Sequence, residues 1–498
     1  MNRRKFLQQG ATMVAAGWAV PSFVAETARL VEAGSPFAAT ASAAGRRVLV
    51  IVQYAGGNDG VNTLIPYGDP TYYSPNVRPA LQIPRPTATT TDPKVIPLTD
   101  YVGLHPSLTR LKQRWDRDQV AIVQGVSYPN PNRSHFRGTD IWESAVPDRL
   151  EPKGWMGRYL QTCSCQRSDH LEALAVGMSS VPGTFWTEMA LVPAVASIGS
   201  FRYAGVGGSN QRVIEIQTLR NALAQSDGHP EGEFLRQSIL TALTDADILQ
   251  AAASSYIPVG AYPTNGFGNS MKLVAQLVAA DVGTSVFYVS IGGFDTRANQ
   301  LANHASLLST FDQAIDAFFQ DMEAKGREDD VTVMTFSEFG RRLAGNGSAG
   351  SDHGIAAPML LLGGSLKPGL HGAYPSLTDL DDGDLKMQID FRSVYASVLQ
   401  DWLNVAPGPI LGGTFPTLGL FQTGSTTPTA TPTPSITHTP TPTTGLATAT
   451  PTATATPTLV GATATPTMTR TPTSTPVGAK PTKTPEPTRV PRPTRTPR

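Results

Sequence analysis

Cysteine is almost absent. The 498 residues hold two, Cys163 and Cys165, with Ser164 between them. That pair supplies neither a disulfide framework nor a zinc site of paired Cys-x-x-Cys type. A bridge across one residue would be strained, so both read as packed thiols or a labile redox pair. A membrane-length hydrophobic run is lacking as well. The apolar stretch within MNRRKFLQQGATMVAAGWAV is mild, is broken by Trp18 and stops at Pro21. A spanning helix needs about 20 consecutive apolar residues. Towards the C-terminus no apolar helix or sorting motif follows, so anchoring is not indicated. Net charge is also missing, with 39 basic residues against 39 acidic.

That balance hides three unlike segments. Residues 1–43 carry Arg3-Arg4, then Phe6-Leu7, and end on the small-residue pattern Ala41-Ser42-Ala43. This is the pattern of a twin-arginine export signal, read by the twin-arginine machinery rather than serving as an anchor. A cut after Ala25 is the alternative to one after Ala43. The expected destination is the periplasm, the cell surface or the medium. Residues 423–498 repeat Thr-Pro with Ala and Ser, as in TPTATPTPSITHTPTPTT. Proline removes backbone donors and few residues there can join a core, so the segment reads as a disordered stalk open to glycosylation. The stalk holds seven basic residues and one acidic, the first 43 residues four and two. The globule between, residues 44–422, is therefore about eight charges negative. The basic stalk is suited to an acidic envelope or cell-wall polymer, or it is simply a solvated linker end. An acidic globule argues against nucleic acid as a partner.

Within the globule, short apolar runs recur: Val48–Tyr54, Val120–Val126, Leu171–Val176, Ser285–Ile291, Val331–Phe336 and Met359–Leu362. Nearly continuous runs of this length read as strands covered on both faces. Helical spacing lies between several of them. In 299–325, Leu301, His304, Leu308, Phe311, Ile315, Phe318 and Met322 share one face. Segments 106–117 and 212–255 also read as helices. Alternation of this kind predicts an α/β fold, a three-layer α/β/α sandwich on a mostly parallel sheet. Residues 178–270, poor in strand signals, read as a helical insertion.

Ligands of open α/β sheets gather beyond the carboxyl ends of the strands. Three strands end there in small-residue turns that each carry an acid: Asp59 after AGGN, Asp295 after GGF, and Glu338 after Ser337. Three converging carboxylates repel unless a cation or arginines neutralise them. Such a cluster suits zinc, magnesium, manganese or calcium. Taken singly, each piece has an ordinary reading: Asp59 as a helix cap, His304 as a hydrogen-bonded core histidine, Glu338 as the partner of Arg341 or Arg342.

Several motifs occur together: RSHF at 133–136, GGFDT at 292–296, SEFGRR at 337–342 and SDHG at 351–354. With these the chain, from about Arg47 to Phe421, resembles the exported family called "domain of unknown function fifteen hundred and one", grouped by fold with alkaline phosphatases and sulfatases. The resemblance implies a metal-dependent hydrolase of phosphate or sulfate esters acting on a small-molecule or polymer ester. It implies Asp59, Asp295, Glu338, Asp352 and His353 as metal ligands. It places the nucleophile at Ser134 or the working residue at His135. Where the family usually reads Asp-Thr-His, this chain reads Asp295-Thr296-Arg297. Arg297 then either clamps an anion or replaces the charge of a missing cation, and His304 stands in as a ligand only if its helix turns it inward. With Arg297 in place of the cation, the chain would be a non-catalytic cell-surface binding protein on a degenerate hydrolase fold.

Overall fold

The computed structural model describes residues 46–162, 171–187, 192–202, 209–224 and 230–422. The expected export signal, Cys163, Cys165 and the Thr/Pro-rich stalk lie outside them. The first part of the chain forms β1 (Val48–Ala55), α1 (Gly60–Thr63), α2 (Thr109–Trp115), β2 (Val120–Ser127), α3 (His135–Ser144) and α4 (Trp155–Thr162). Next come β3 (Ala173–Val176), β4 (Ala194–Val195), α5 (Ser209–Ala222), α6 (Pro230–Ser255) and α7 (Gly266–Ala279). The last part holds β5 (Val286–Gly292), α8 (Gln300–Ala324), β6 (Val331–Phe336), β7 (Arg341–Gly345), β8 (Ser351–His353), β9 (Ala357–Leu362), β10 (Gly369–His371), β11 (Ile389–Asp390) and α9 (Phe391–Ser397).

Nine of these strands make one sheet in the order β10-β2-β9-β6-β1-β5-β3-β4, with β11 also paired to β2. All pairings are parallel except those of β9, which runs antiparallel to both β2 and β6. Period-two alternation divides β1 between two cores. Val48, Val50, Val52 and Tyr54 pack with Leu111 of α2, Leu249 of α6, Val274 of α7 and Phe311 of α8. Leu49 and Ile51 pack on the other face with Trp142 of α3, Trp155 of α4 and Tyr395 of α9. Both faces are therefore covered by helices, which explains why the strands read as unbroken apolar runs. The fold is the three-layer α/β/α sandwich.

Two features depart from the sequence reading. Segment 178–270 supplies helices, but α6 lays Ala246, Leu249 and Ala252 into the same core as β1, and β4 extends the sheet edge. It is thus built into one helical layer. On α8 the expected stripe is buried, except that Leu301 is 40% exposed. Among the described residues no helix is long and apolar enough to cross a membrane.

Because β6, β1 and β5 are parallel neighbours, their carboxyl ends lie side by side. The chain leaves β6, forms the antiparallel ribbon β7-β8, and returns at once as β9. A parallel return would need a crossover of a dozen or more residues, usually helical. This short return keeps residues 337–356 on the carboxyl edge.

Candidate functional site

The first strand ends on two glycines that only glycine can occupy. Gly56 and Gly57 have φ of 123° and 80°. A Cβ on Gly56 would sit 2.3 Å from the Asp295 nitrogen, and one on Gly57 2.2 Å from the Phe339 ring. The turn can therefore press against both neighbouring strand ends. Its amide from Gly56 donates to Glu338 Oε1 at 2.9 Å. Ser337 Oγ donates to the Tyr54 carbonyl at 2.7 Å and accepts from the Asn58 amide at 2.9 Å, tying β1 to β6.

Arg341 locks this edge. Its guanidinium is fully buried and donates to the carbonyls of Gly57 (2.7 Å), Gly56 (2.6 Å), Ser351 (2.7 Å) and Phe294 (3.0 Å). It also donates to Asp295 Oδ1 at 2.7 Å. One side chain thus joins the ends of β1 and β5 to the ribbon and orients the Asp295 carboxylate.

Three side chains converge in front of this frame. His135, at the start of α3, puts Nδ1 2.8 Å from Glu338 Oε1 and Nε2 3.5 Å from Asp295 Oδ2. His353 arrives on the ribbon, where it pairs with Arg341. Its Nδ1 is 2.7 Å from the Arg133 carbonyl and its Nε2 3.2 Å from Asp295 Oδ1. Carboxylate and carbonyl oxygens only accept, so both Nδ1 atoms carry a proton, and both rings turn Nε2 toward Asp295. The two rings meet edge to face at 4.4 Å, with Phe339 against both. Candidate ligand atoms of His135, Asp295 and His353 all lie within 4.8 Å of one another.

Arg297 completes the cluster. Nε donates to Asp295 Oδ1 at 2.9 Å and Nη2 to His353 Nε2 at 2.6 Å. Burial opposes ionisation of Asp295, but the hydrogen bonds from Arg341 and Arg297 outweigh it and hold the carboxyl well below the usual range. Burial, helped by the charges of Arg341 and Arg297, lowers the pKa of His353 against the opposing pull of the Arg133 carbonyl and the Asp295 carboxylate. It is neutral at physiological pH.

The expected site residues divide accordingly. The structure brings together His135, Asp295, Arg297, Glu338 and His353. Glu338 does not join as a ligand of the triad: it anchors His135. Asp59 lies in a separate network. Its fully buried carboxylate caps α1 by accepting from Val61 and Asn62, pairs with the fully buried Arg78 at 3.1 Å, and accepts from Gln300. With its oxygens so occupied it is no partner for a cation at Asp295. His304 is a core histidine, 1% exposed, with Nε2 2.9 Å from Asn58 Oδ1 and its ring against His105. Asp352 is exposed and accepts from Asn346 at 3.2 Å, because strand alternation turns it away from His353. Ser134 is the exposed N-cap of α3 and makes no capping bond through its side chain. Arg342, expected among the neutralising arginines, instead reaches Asp382 and Asp384. The sequence reading missed Arg78, which sits in an aperiodic segment with no local signal, and the orienting role of Arg341, signalled only by the SEFGRR doublet.

Fold and site define an α/β/α protein with a His/Asp/His cluster at the carboxyl edge of its sheet. The chain belongs to the family described as "Protein of unknown function (DUF1501)", which matches residues 46–406. No curated protein matches it. Similar solved structures include a protein in the alkaline phosphatase superfamily from Vibrio parahaemolyticus (11% identity, TM-score 0.33, covering 74% of this chain and 69% of that one). The lipoteichoic acid synthase LtaP from Listeria monocytogenes is another (9%, 0.34, 75% and 76%). A third is the C-terminal periplasmic domain of EptC from Escherichia coli in complex with Zn (10%, 0.30, 64% and 73%). Likeness at this level says nothing of activity.

Proposed function

We propose that the chain is an exported hydrolase of phosphate or sulfate esters that works with one divalent cation held by His135, Asp295 and His353. The observation that carries this is the anchoring of both imidazoles. Each Nδ1–H is held, by Glu338 or by the Arg133 carbonyl, so that each Nε2 faces one carboxylate. Histidine ligands of metals are held in this way by a second partner. Two imidazoles with one carboxylate favour zinc or manganese over magnesium or calcium, which prefer oxygen throughout. Asp295 is 42% and His135 33% exposed at the side chain, leaving a side open to substrate. When bound, the cation would polarise an ester oxygen and lower the pKa of a water. Arg341 fixes the direction of Asp295, Glu338 that of His135, and the Phe339 ring shields the triad from behind. His135 is the working residue of RSHF in this reading. Ser134 takes no part.

The reading extends to location: the twin-arginine pattern of residues 1–43 would export the folded chain, and the basic stalk would rest on an acidic envelope polymer. A second reading has one observation in its favour. Arg297 already bridges Asp295 and His353, so the cluster is charge-satisfied and the chain could serve as a cell-surface binding protein without metal. Elemental analysis of full chain prepared without chelator, with assays on p-nitrophenyl phosphate and sulfate, separates the two. Bound metal and hydrolysis, both lost in His353→Ala, are expected. A chain that takes up no divalent ion and cleaves neither ester is not a hydrolase of this kind. Lysines at Arg3 and Arg4 should leave precursor in the cytoplasm; normal export of that variant would refute the location.

A further inference from the structure

Arg297 occupies the atoms that a cation would need. Its fork takes one oxygen of Asp295 and the only lone pair of His353 Nε2, at 2.9 and 2.6 Å. Both cannot serve the guanidinium and a metal at once. The backbone of Arg297 is fixed. Its amide donates to the Asp295 carbonyl at 3.0 Å and its own carbonyl accepts from Asn346 at 3.0 Å. Gly350 packs so close that a Cβ there would lie 2.2 Å from the Arg297 carbonyl carbon. The side chain, by contrast, is 52% exposed. It can rotate outward on a held backbone, whereas Arg341, fully buried with its donors committed, cannot leave.

We propose that Arg297 is an exchangeable cation: a divalent ion displaces it from Asp295 and His353, and the released guanidinium clamps the tetrahedral oxyanion of the ligand beside that ion. This rests on the metal reading of the triad and adds to it a coupling. Metal frees the arginine for the anion, and the anion keeps the arginine from returning to compete with the metal. Binding of the two is then mutually favourable, and by linkage each raises the affinity for the other by the same factor. A planar, five-donor fork suits phosphate or sulfate oxygens as well as it suits a carboxylate.

The test measures manganese binding to the full chain by the loss of the free-ion paramagnetic resonance signal, with and without inorganic phosphate or sulfate. Four proteins are compared: wild type, Arg297→Ala, Arg342→Ala and His353→Ala. Without anion, Arg297→Ala should bind manganese about 10-fold or more tightly than wild type, and phosphate should tighten wild-type binding about 5-fold or more, within the usual range of coupling between sites. Sulfate should act likewise if the clamp reads the tetrahedral oxyanion; a response to phosphate alone narrows the ligand to phosphate esters. In Arg297→Ala the anion effect should vanish. Arg342→Ala removes an equal charge nearby but no competitor for the lone pairs, so it should change affinity less than about 2-fold. Equal gains in Arg297→Ala and Arg342→Ala would reduce the effect to general repulsion and overturn the exchange. An anion effect that survives in Arg297→Ala would overturn the clamp. No saturable binding in wild type or Arg297→Ala, or binding unchanged in His353→Ala, would remove the metal reading itself and the inference with it.

Discussion

Replacing Arg341 with lysine keeps the charge and removes the fork, and the structure says what that costs. Arg341 feeds five acceptors, four backbone carbonyls and Asp295, from a fully buried position. A lysine ammonium has three donors on one nitrogen, so at least two acceptors lose their partner. An acceptor left unsatisfied in the interior costs about 1–3 kcal/mol, and the bonds lost here come from a charged donor. A loss of about 3–5 kcal/mol is expected for Arg341→Lys. Arg341→Met, which also strips the charge from Asp295, should lose more. Total stability of a globule is about 5–15 kcal/mol, so the lysine variant should fold yet shift visibly.

The assay is equilibrium urea unfolding of the full chain in chelator, so that ion binding to the folded state adds nothing to any variant. A drop in midpoint at unchanged slope reports stability alone. If Arg341→Lys lies within about 1 kcal/mol of wild type, below the cost of one unsatisfied buried acceptor, the picture of Arg341 as the clasp of three strand ends is wrong.

Two further outcomes follow from the buried networks. Burial pushes the imidazoles of His304 and His105 down to about 4 and about 3, opposed in both by the charge of Asp59 and aided at His304 by Arg78 and Arg341. The unfolded chain therefore takes up protons below about pH 6.5 that the folded chain refuses, and stability should fall as pH drops from about 6.5 toward 4; unfolding measured at pH 6.5 and 4.5 should show a smaller fall in His304→Gln, and an identical fall would refute the assignment. Asp59→Asn unpairs a fully buried arginine and should cost about 3–5 kcal/mol, the range for breaking one side of a buried pair, while leaving manganese stoichiometry unchanged; loss of the metal along with the stability would return Asp59 to the metal site.

Much of the scaffold was legible because it depends on local periodicity. The strand Val331–Phe336 is found as read, and the helix expected over 299–325 runs from Gln300 to Ala324. Direction was not legible in Ala357–Leu362, since an apolar run reads the same whichever way its neighbours point. Placing the acids at strand ends was enough to find Asp295 and Glu338 but not to assign their roles. Asp59 follows its strand just as Asp295 does, yet Arg78, from an irregular segment, claims it. Glu338 looked like a ligand because nothing nearby in sequence could show that His135 takes its oxygen. His304 has the right type and spacing for a ligand, but its place on the buried stripe of α8 decides the matter toward the core.

The reversal at β9 is what makes this cluster possible. Had residues 337–356 formed a crossover helix, they would have left the carboxyl edge to cover a face of the sheet, as α8 does after β5. Instead they stay there and supply Glu338 to hold one imidazole, Arg341 to orient the carboxylate, and His353 as the second imidazole. Their placement is tied to the register of β9, where Leu361 and Leu362 face Met334 and Val333 of β6. A slip of one residue would turn the buried Met359 and Leu361 toward the opposite core and exchange the two faces. Both cores resist that slip, since each buries alternate residues of the strand. The precision of three side chains at the surface is thus secured by apolar packing beneath them, and the loops at the site need little rigidity of their own.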